Sequence, residues 1–288
     1  MNNYIMLSLS AILLAANFSV TYLYQKTEGV SAKAGFKFTA LVGLATALIF
    51  GAINGFDIEV SRFSVLLSAL SAALCMLYTI IGFRIMKKQG IALYTLFLMT
   101  GGMVVPYVWG VFFLEEPFLL SRTTGLVLIT IAVILSKWNS ENGSLKEILL
   151  CVIVFFLNGF VSVTSKLHSI ENVIPTVNET SFVTLSYFFS FVISGVCCLL
   201  SKKNPEKEKT NMKLMLPLIV ISAIFGGISY FMQLTAAKSV PATVLYPFVT
   251  GGSIIFAAVA ERVIYKEKIK KNVLVGICVC FVGTLLFV

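Results

Sequence analysis

Two asparagines in the middle of long apolar runs are the residues of this chain best placed to do chemistry. Asn17 lies in Ala15-Ala16-Asn17-Phe18-Ser19-Val20-Thr21, and Asn158 in Phe155-Phe156-Leu157-Asn158-Gly159. A carboxamide deep in an apolar segment is costly unless paired. It therefore either bonds a neighbouring helix or lines a cavity and offers its amide to a solute, and the sequence leaves both readings open. The surroundings echo as well, Phe18-Ser19-Val20-Thr21 against Val161-Ser162-Val163-Thr164. Gln233 is a third amide of this kind. Tyr78, Tyr94, Tyr187 and Tyr246 add flat apolar faces with a hydroxyl handle, which suit an amphiphilic ligand, although aromatic residues also gather at membrane interfaces. Tyr107, Trp109 and Tyr230 have the same properties with less to single them out. Lys37 can pair with an anionic group or extend its ammonium to the interface. The candidate substrate-binding set is thus Asn17, Asn158, Tyr94, Tyr246, Gln233, Tyr78, Tyr187 and Lys37.

Other chemistry lacks its parts. The chain has one aspartate, Asp57, and one histidine, His168, and contains no HExxH, phosphate-binding loop or acidic cluster. An enzyme needs a nucleophile with a base or a set of metal-holding acids, so no enzyme, cofactor or metal site is expected, nor a pump driven directly by nucleotide. The six cysteines fall inside apolar runs without CxxC spacing and read as small packing residues. His168, near the end of a run, is expected to be solvated. Lys166 is expected to extend to the interface. Glu116 and Glu267 are expected to be structural, each near the start of the helix that follows it.

The elements that must position these residues are membrane helices. With 58% hydrophobic and 12% charged residues and a mean hydropathy of +0.95, the chain is outside the range of soluble proteins. Apolar stretches occur near 4–23, 36–55, 63–83, 90–114, 122–137, 148–167, 180–201, 214–237, 239–260 and 271–288, most of them long enough to span. Backbone in lipid must bond internally, so these are predicted helices. Met1-Asn2-Asn3 carries no basic residue, so the first run reads as a retained span rather than a signal peptide. Pro106 is expected to kink the fourth helix, and Pro241 to open the ninth.

Thr100-Gly101-Gly102 leads through an apolar stretch to Glu116 and then Gly125; Thr250-Gly251-Gly252 leads likewise to Glu267 and Gly276. The copies divide the chain into two related halves, 1–138 and 146–288. All but four of the 22 lysines and arginines fall in odd-numbered loops; the exceptions are Arg62, Arg122, Lys166 and Lys238. The formal charge of +9 therefore orients helices rather than binding nucleic acid, with the basic loops predicted cytoplasmic in the plasma (inner) membrane and both ends of the chain outside. Five helices per half is an odd number, so the second half is predicted inverted. The fold expected is an all-α membrane protein of ten transmembrane helices in two inverted five-helix repeats, a design in which a central site opens to each side in turn. Both halves are present in one chain, so a monomer suffices, with membrane lipids and a small-molecule substrate as its partners.

The blocks Leu114-Glu115-Glu116-Pro117-Phe118 to Gly125, and Tyr265-Lys266-Glu267-Lys268-Ile269 to Gly276, with the link Ala236-Ala237-Lys238-Ser239-Val240-Pro241-Ala242, resemble the drug/metabolite transporter superfamily in its ten-helix EamA-like form. The resemblance implies secondary transport of small metabolites or amphiphilic compounds, often export. It departs from the small four-helix relatives, whose first helix carries a proton-coupling glutamate; helix 1 here has no carboxylate at its middle. A lipid scramblase or a structural membrane subunit is the alternative that the duplication leaves open.

Overall fold

The computed structural model describes residues 3–29, 31–89, 91–137, 145–171, 173–201, 212–264 and 271–287. They form ten helices: α1 (Asn3–Glu28), α2 (Ala32–Ile53), α3 (Arg62–Gln89), α4 (Ile91–Phe113), α5 (Leu120–Lys137), α6 (Leu145–Ile170), α7 (Glu179–Leu200), α8 (Met212–Ala237), α9 (Ala242–Ile264) and α10 (Lys271–Leu285). The described residues include no strand. Six of the helices are long and apolar enough to cross a membrane, and α4, α5 and α9 carry shorter apolar stretches at Phe97–Phe113, Leu120–Ala132 and Ala242–Ala257. The chain is a multi-pass, all-helical membrane protein.

Local signals set where the helices begin and turn. Ser31 caps α2, its Oγ accepting from the Ala34 N–H at 3.1 Å. Asn178 caps α7 by accepting from Ser181 N–H at 2.8 Å, with Glu179 in the first turn where the helix dipole favours an anion. Between α8 and α9 the chain reverses in four residues, and Pro241 stands just before α9, where its missing donor costs nothing. Pro106, Pro217 and Pro247 sit inside α4, α8 and α9.

Helices α2 and α7 pack along each other, as do α5 and α10; α4 packs on α6 and α9, α1 on α8 and α9, and α3 on α6 and α7. Among the described residues the largest apolar cluster joins α1, α4, α5, α8, α9 and α10 around Leu7, Met103, Ile129, Leu245 and Cys280. A second holds Phe50, Leu67, Phe182 and Leu234 on α2, α3, α7 and α8. The α5–α10 seam depends on two glycines. A Cβ at Gly125 would stand 2.7 Å from the Gly283 carbonyl oxygen, and one at Gly283 would stand 2.9 Å from the Gly125 oxygen. Both backbones fill the space a side chain would need, the close approach that small residues permit between membrane helices.

Candidate functional site

Around the middle of α1, α3, α4 and α6–α9 lies a cavity of about 280 Å³. Six of the eight candidate residues line it: Asn17, Tyr78, Asn158, Tyr187, Gln233 and Tyr246. Lys37, on α2, is not among the lining residues. Tyr94 belongs to α4, but its side chain lies outside the described residues, as does Glu267. The lining also includes Ser162, Ser165, Ser229, Tyr230, Thr250 and Ser253, none of them in the candidate set. On α8, Gly226, Ser229, Tyr230 and Gln233 recur at intervals of three and four, so they share one face of the helix. That periodicity was the available signal for them.

The two asparagines are each anchored by one end of the amide. Asn17 Oδ1 accepts from Ser222 Oγ at 2.5 Å, and Asn158 Nδ2 donates to the Leu98 carbonyl at 2.7 Å. Each also presses its nitrogen against a glycine. A Cβ at Gly102 would meet Asn158 Nδ2 at 2.7 Å, and one at Gly226 would meet Asn17 Nδ2 at 3.1 Å. Each asparagine thus bonds a neighbouring helix through one amide atom and also lines the cavity.

Two of the lining tyrosines bond to α6. Tyr246 donates to the Ser162 carbonyl at 2.6 Å, and the Tyr230 hydroxyl pairs with Ser165 Oγ at 2.9 Å. Beyond them is a layer of polar ties at the α8–α9 turn. Here the structure corrects three expectations. Lys166 does not reach for an interface. It is 5% exposed, and its ammonium donates to the carbonyls of Ala237 and Val240 at 2.6 and 2.7 Å, where the end of α8 leaves acceptors unfilled. His168 is not solvated. It is 3% exposed, stacks on Phe182 with ring centroids 3.6 Å apart, and places Nε2 3.1 Å from Ser64 Oγ. Glu116 does not serve the helix after it. Its two oxygens accept from the N–H groups of Ala242 and Thr243 at 2.6 and 2.8 Å, capping α9 of the other half. Gly110 makes room, since a Cβ there would lie 2.7 Å from Glu116 Oε2.

Further ties sit at the same end of the helices. Arg122 reaches Thr243 Oγ1 at 3.5 Å, Lys238 pairs with Glu179, and the Asn178 N–H donates to Glu59 at 2.9 Å. Thus Arg122, Lys166 and Lys238, three of the four cations outside the basic loops, are bound into one polar layer. Among the described residues no three His, Cys, Asp or Glu side chains gather as metal ligands.

The arrangement leaves a cavity in mid-bundle with neutral amide and hydroxyl groups among its apolar lining. Nothing among curated proteins matches the chain. A solved crystal structure superimposes with a TM-score of 0.76 over 97% of this chain and 94% of its own, at 13% identity, and shares the fold. The EamA-like transporter family matches residues 145–288, the half that supplies α6–α9 to the cavity, and the chain belongs to that family.

Proposed function

We propose that this protein is a secondary transporter that exports small metabolites or amphiphilic compounds by alternating access. In this reading 1–138 and 146–288 are inverted five-helix repeats and all ten helices span the membrane. The observation that carries the reading is the cavity itself: it is shared between α1, α3 and α4 of one half and α6–α9 of the other, with asparagine amides from both halves at its wall. The packing supports it too. Exchanging each helix of the first half for its counterpart in the second turns α4 on α6 into α9 on α1, and α3 on α6 into α8 on α1, and both members of each pair occur. α2 meets its own counterpart, α7, and α5 meets α10. A site at the interface of inverted repeats is what alternating access uses.

The protein sits in the plasma (inner) membrane with its basic loops cytoplasmic and works as a monomer. The polar layer at the α8–α9 turn then lies on the outer side. Purified protein in proteoliposomes tests the reading. Counterflow of a small polar tracer that is lost in Asn17→Ala is the expected result. Movement of labelled lipid between leaflets with no solute flux replaces the reading with a scramblase.

A further inference from the structure

Resting on the transport reading, the cavity wall says more about what enters it. Among the described residues lining the cavity, none carries a formal charge. Lys166, next in sequence to the lining residue Ser165, has its ammonium on the Ala237 and Val240 carbonyls. Glu116 has both oxygens on the start of α9. The charged groups of this region are thus committed to helix ends. An ion entering the cavity loses hydration and meets no counter-charge, which a low-dielectric site penalises heavily.

The polar atoms left over are neutral and of both kinds. Asn17 Oδ1 is used by Ser222, so its Nδ2 remains as a donor without a partner among the described residues. The Tyr187 hydroxyl also has none, and it converges with that nitrogen over Gly226: a Cβ there would lie 3.1 Å from the one and 3.6 Å from the other. Asn158 donates its nitrogen to Leu98, which leaves Oδ1 as an acceptor; Gln233 donates its nitrogen to Ser229 at 3.2 Å and leaves Oε1. A solute that fills both sets needs an acceptor and a donor of its own. Around them Tyr78, Tyr187, Tyr230 and Tyr246 offer ring faces, and Tyr187 and Tyr230 meet edge to face with centroids 6.2 Å apart. The volume of about 280 Å³ is at the small end of ligand cavities.

We infer that the cavity selects an uncharged, ring-bearing solute whose edge carries both a hydrogen-bond donor and an acceptor, as carboxamides, lactams and nucleobases do, and rejects its ionised analogues. The two glycines belong to the selection. Gly102 and Gly226 hold open the space beside the two asparagine nitrogens, and a methyl at either would crowd the amide that reads the solute.

The test uses three compounds of nearly equal size on one lactam-bearing scaffold: uridine, 5′-amino-5′-deoxyuridine as the cation, and uridine 5′-carboxylate as the anion. Thermal stabilisation of the detergent-purified wild-type chain measures binding, and proteoliposome flux measures transport. Uridine is expected to bind at least about tenfold more tightly than either ion, since nothing in the cavity replaces an ion's hydration. Asn17→Asp keeps the acceptor for Ser222 and adds a charge, and it is expected to shift the preference to the amino compound. Equal or better binding of either ion by the wild type overturns the inference and leaves the transport reading standing. Binding of uridine without flux overturns the transport reading and leaves the selectivity standing. Absence of binding by all three overturns the inference. The wild-type comparison decides even if Asn17→Asp does not fold.

Discussion

Glu116 and Ala242 are 126 residues apart in sequence, yet the carboxylate of the first accepts the backbone N–H of the second at 2.6 Å. The other oxygen takes Thr243 N–H at 2.8 Å, so one side chain from the α4–α5 connection fills two of the donors that the start of α9 leaves open. Replacing Glu116 with Ala leaves these two donors bare. The expected cost is about 1–2 kcal/mol, the range of a lost N-cap. Glu116→Gln should recover roughly half, because it keeps an acceptor but not the anion that the helix dipole favours. Melting curves of the three proteins in one detergent read this out. Equal stability of all three would show that the cap carries no weight.

Lys166 performs the opposite task at the other side of the same turn. Its ammonium fills the carbonyls of Ala237 and Val240. Lys166→Met keeps the apolar stem and removes the donor, so two acceptors in a buried place lose their partner. A loss of about 1–3 kcal/mol is expected for such unfilled groups. Lys166→Arg should retain most of the stability if the larger head fits. A methionine variant that melts no lower than wild type would mean that water fills the carbonyls equally well.

His168 gives a contrasting case. Its ring stacks on Phe182, and its Nδ1 is buried without a partner among the described residues. His168→Phe preserves the stack and removes the orphaned nitrogen, while it gives up one contact to Ser64, which keeps the Val177 N–H at 3.1 Å. The two changes oppose one another, and stability should stay within about 1 kcal/mol of wild type, as exchange of a polar group for an apolar one of the same shape often does. His168→Ala opens a cavity beside Phe182 and should cost about 2–4 kcal/mol more. Similar melting temperatures for the two variants would count against the packing role.

Asn17 and Asn158 differ in what truncation does to the fold. Asn158→Ala strips the Leu98 carbonyl of its donor, whereas Asn17→Ala removes only an acceptor from Ser222, a hydroxyl that can turn to another partner. Both variants should lose transport, and Asn158→Ala should lose stability as well, by about 1 kcal/mol. Flux per folded protein, from size-exclusion-purified samples, separates the effects. Wild-type flux per folded molecule in Asn17→Ala would remove that residue from the site.

Much of this was legible in the chain because membrane insertion makes sequence and position nearly the same information. An amide in the middle of an apolar run has few places to go, and Asn17, Asn158 and Gln233 all reached the cavity wall. The break between α8 and α9 was legible from Lys238 and Pro241, whereas α1 and α3 run five and six residues past the apolar stretches 4–23 and 63–83, because a helix continues into its polar flank where hydropathy stops. What the sequence hid lay at the ends of the helices. Hydropathy places Lys166 and His168 near a boundary and cannot tell an end that faces water from one covered by a turn. The cover for Lys166 comes from the end of α8 and the turn after it, more than 70 residues further on. The spacing of Glu116 to Gly125 points to the adjacent helix α5, while its hydrogen-bond partners are at the start of α9, more than 120 residues on.

The seam between Gly125 and Gly283 has a mechanical consequence. Most contacts between helices are made of side chains, and they change shape by switching rotamers. Here the peptide group of each glycine faces the other, flanked by the side chains of Phe287 and Ile129, and the peptide groups have no rotamer to switch. Such a joint fixes how closely α5 and α10 approach, because neither backbone can yield by a change of rotamer. In the transport reading proposed above, reshaping of the cavity therefore falls to α1, α3, α4 and α6–α9, whose side chains line it and can change rotamer.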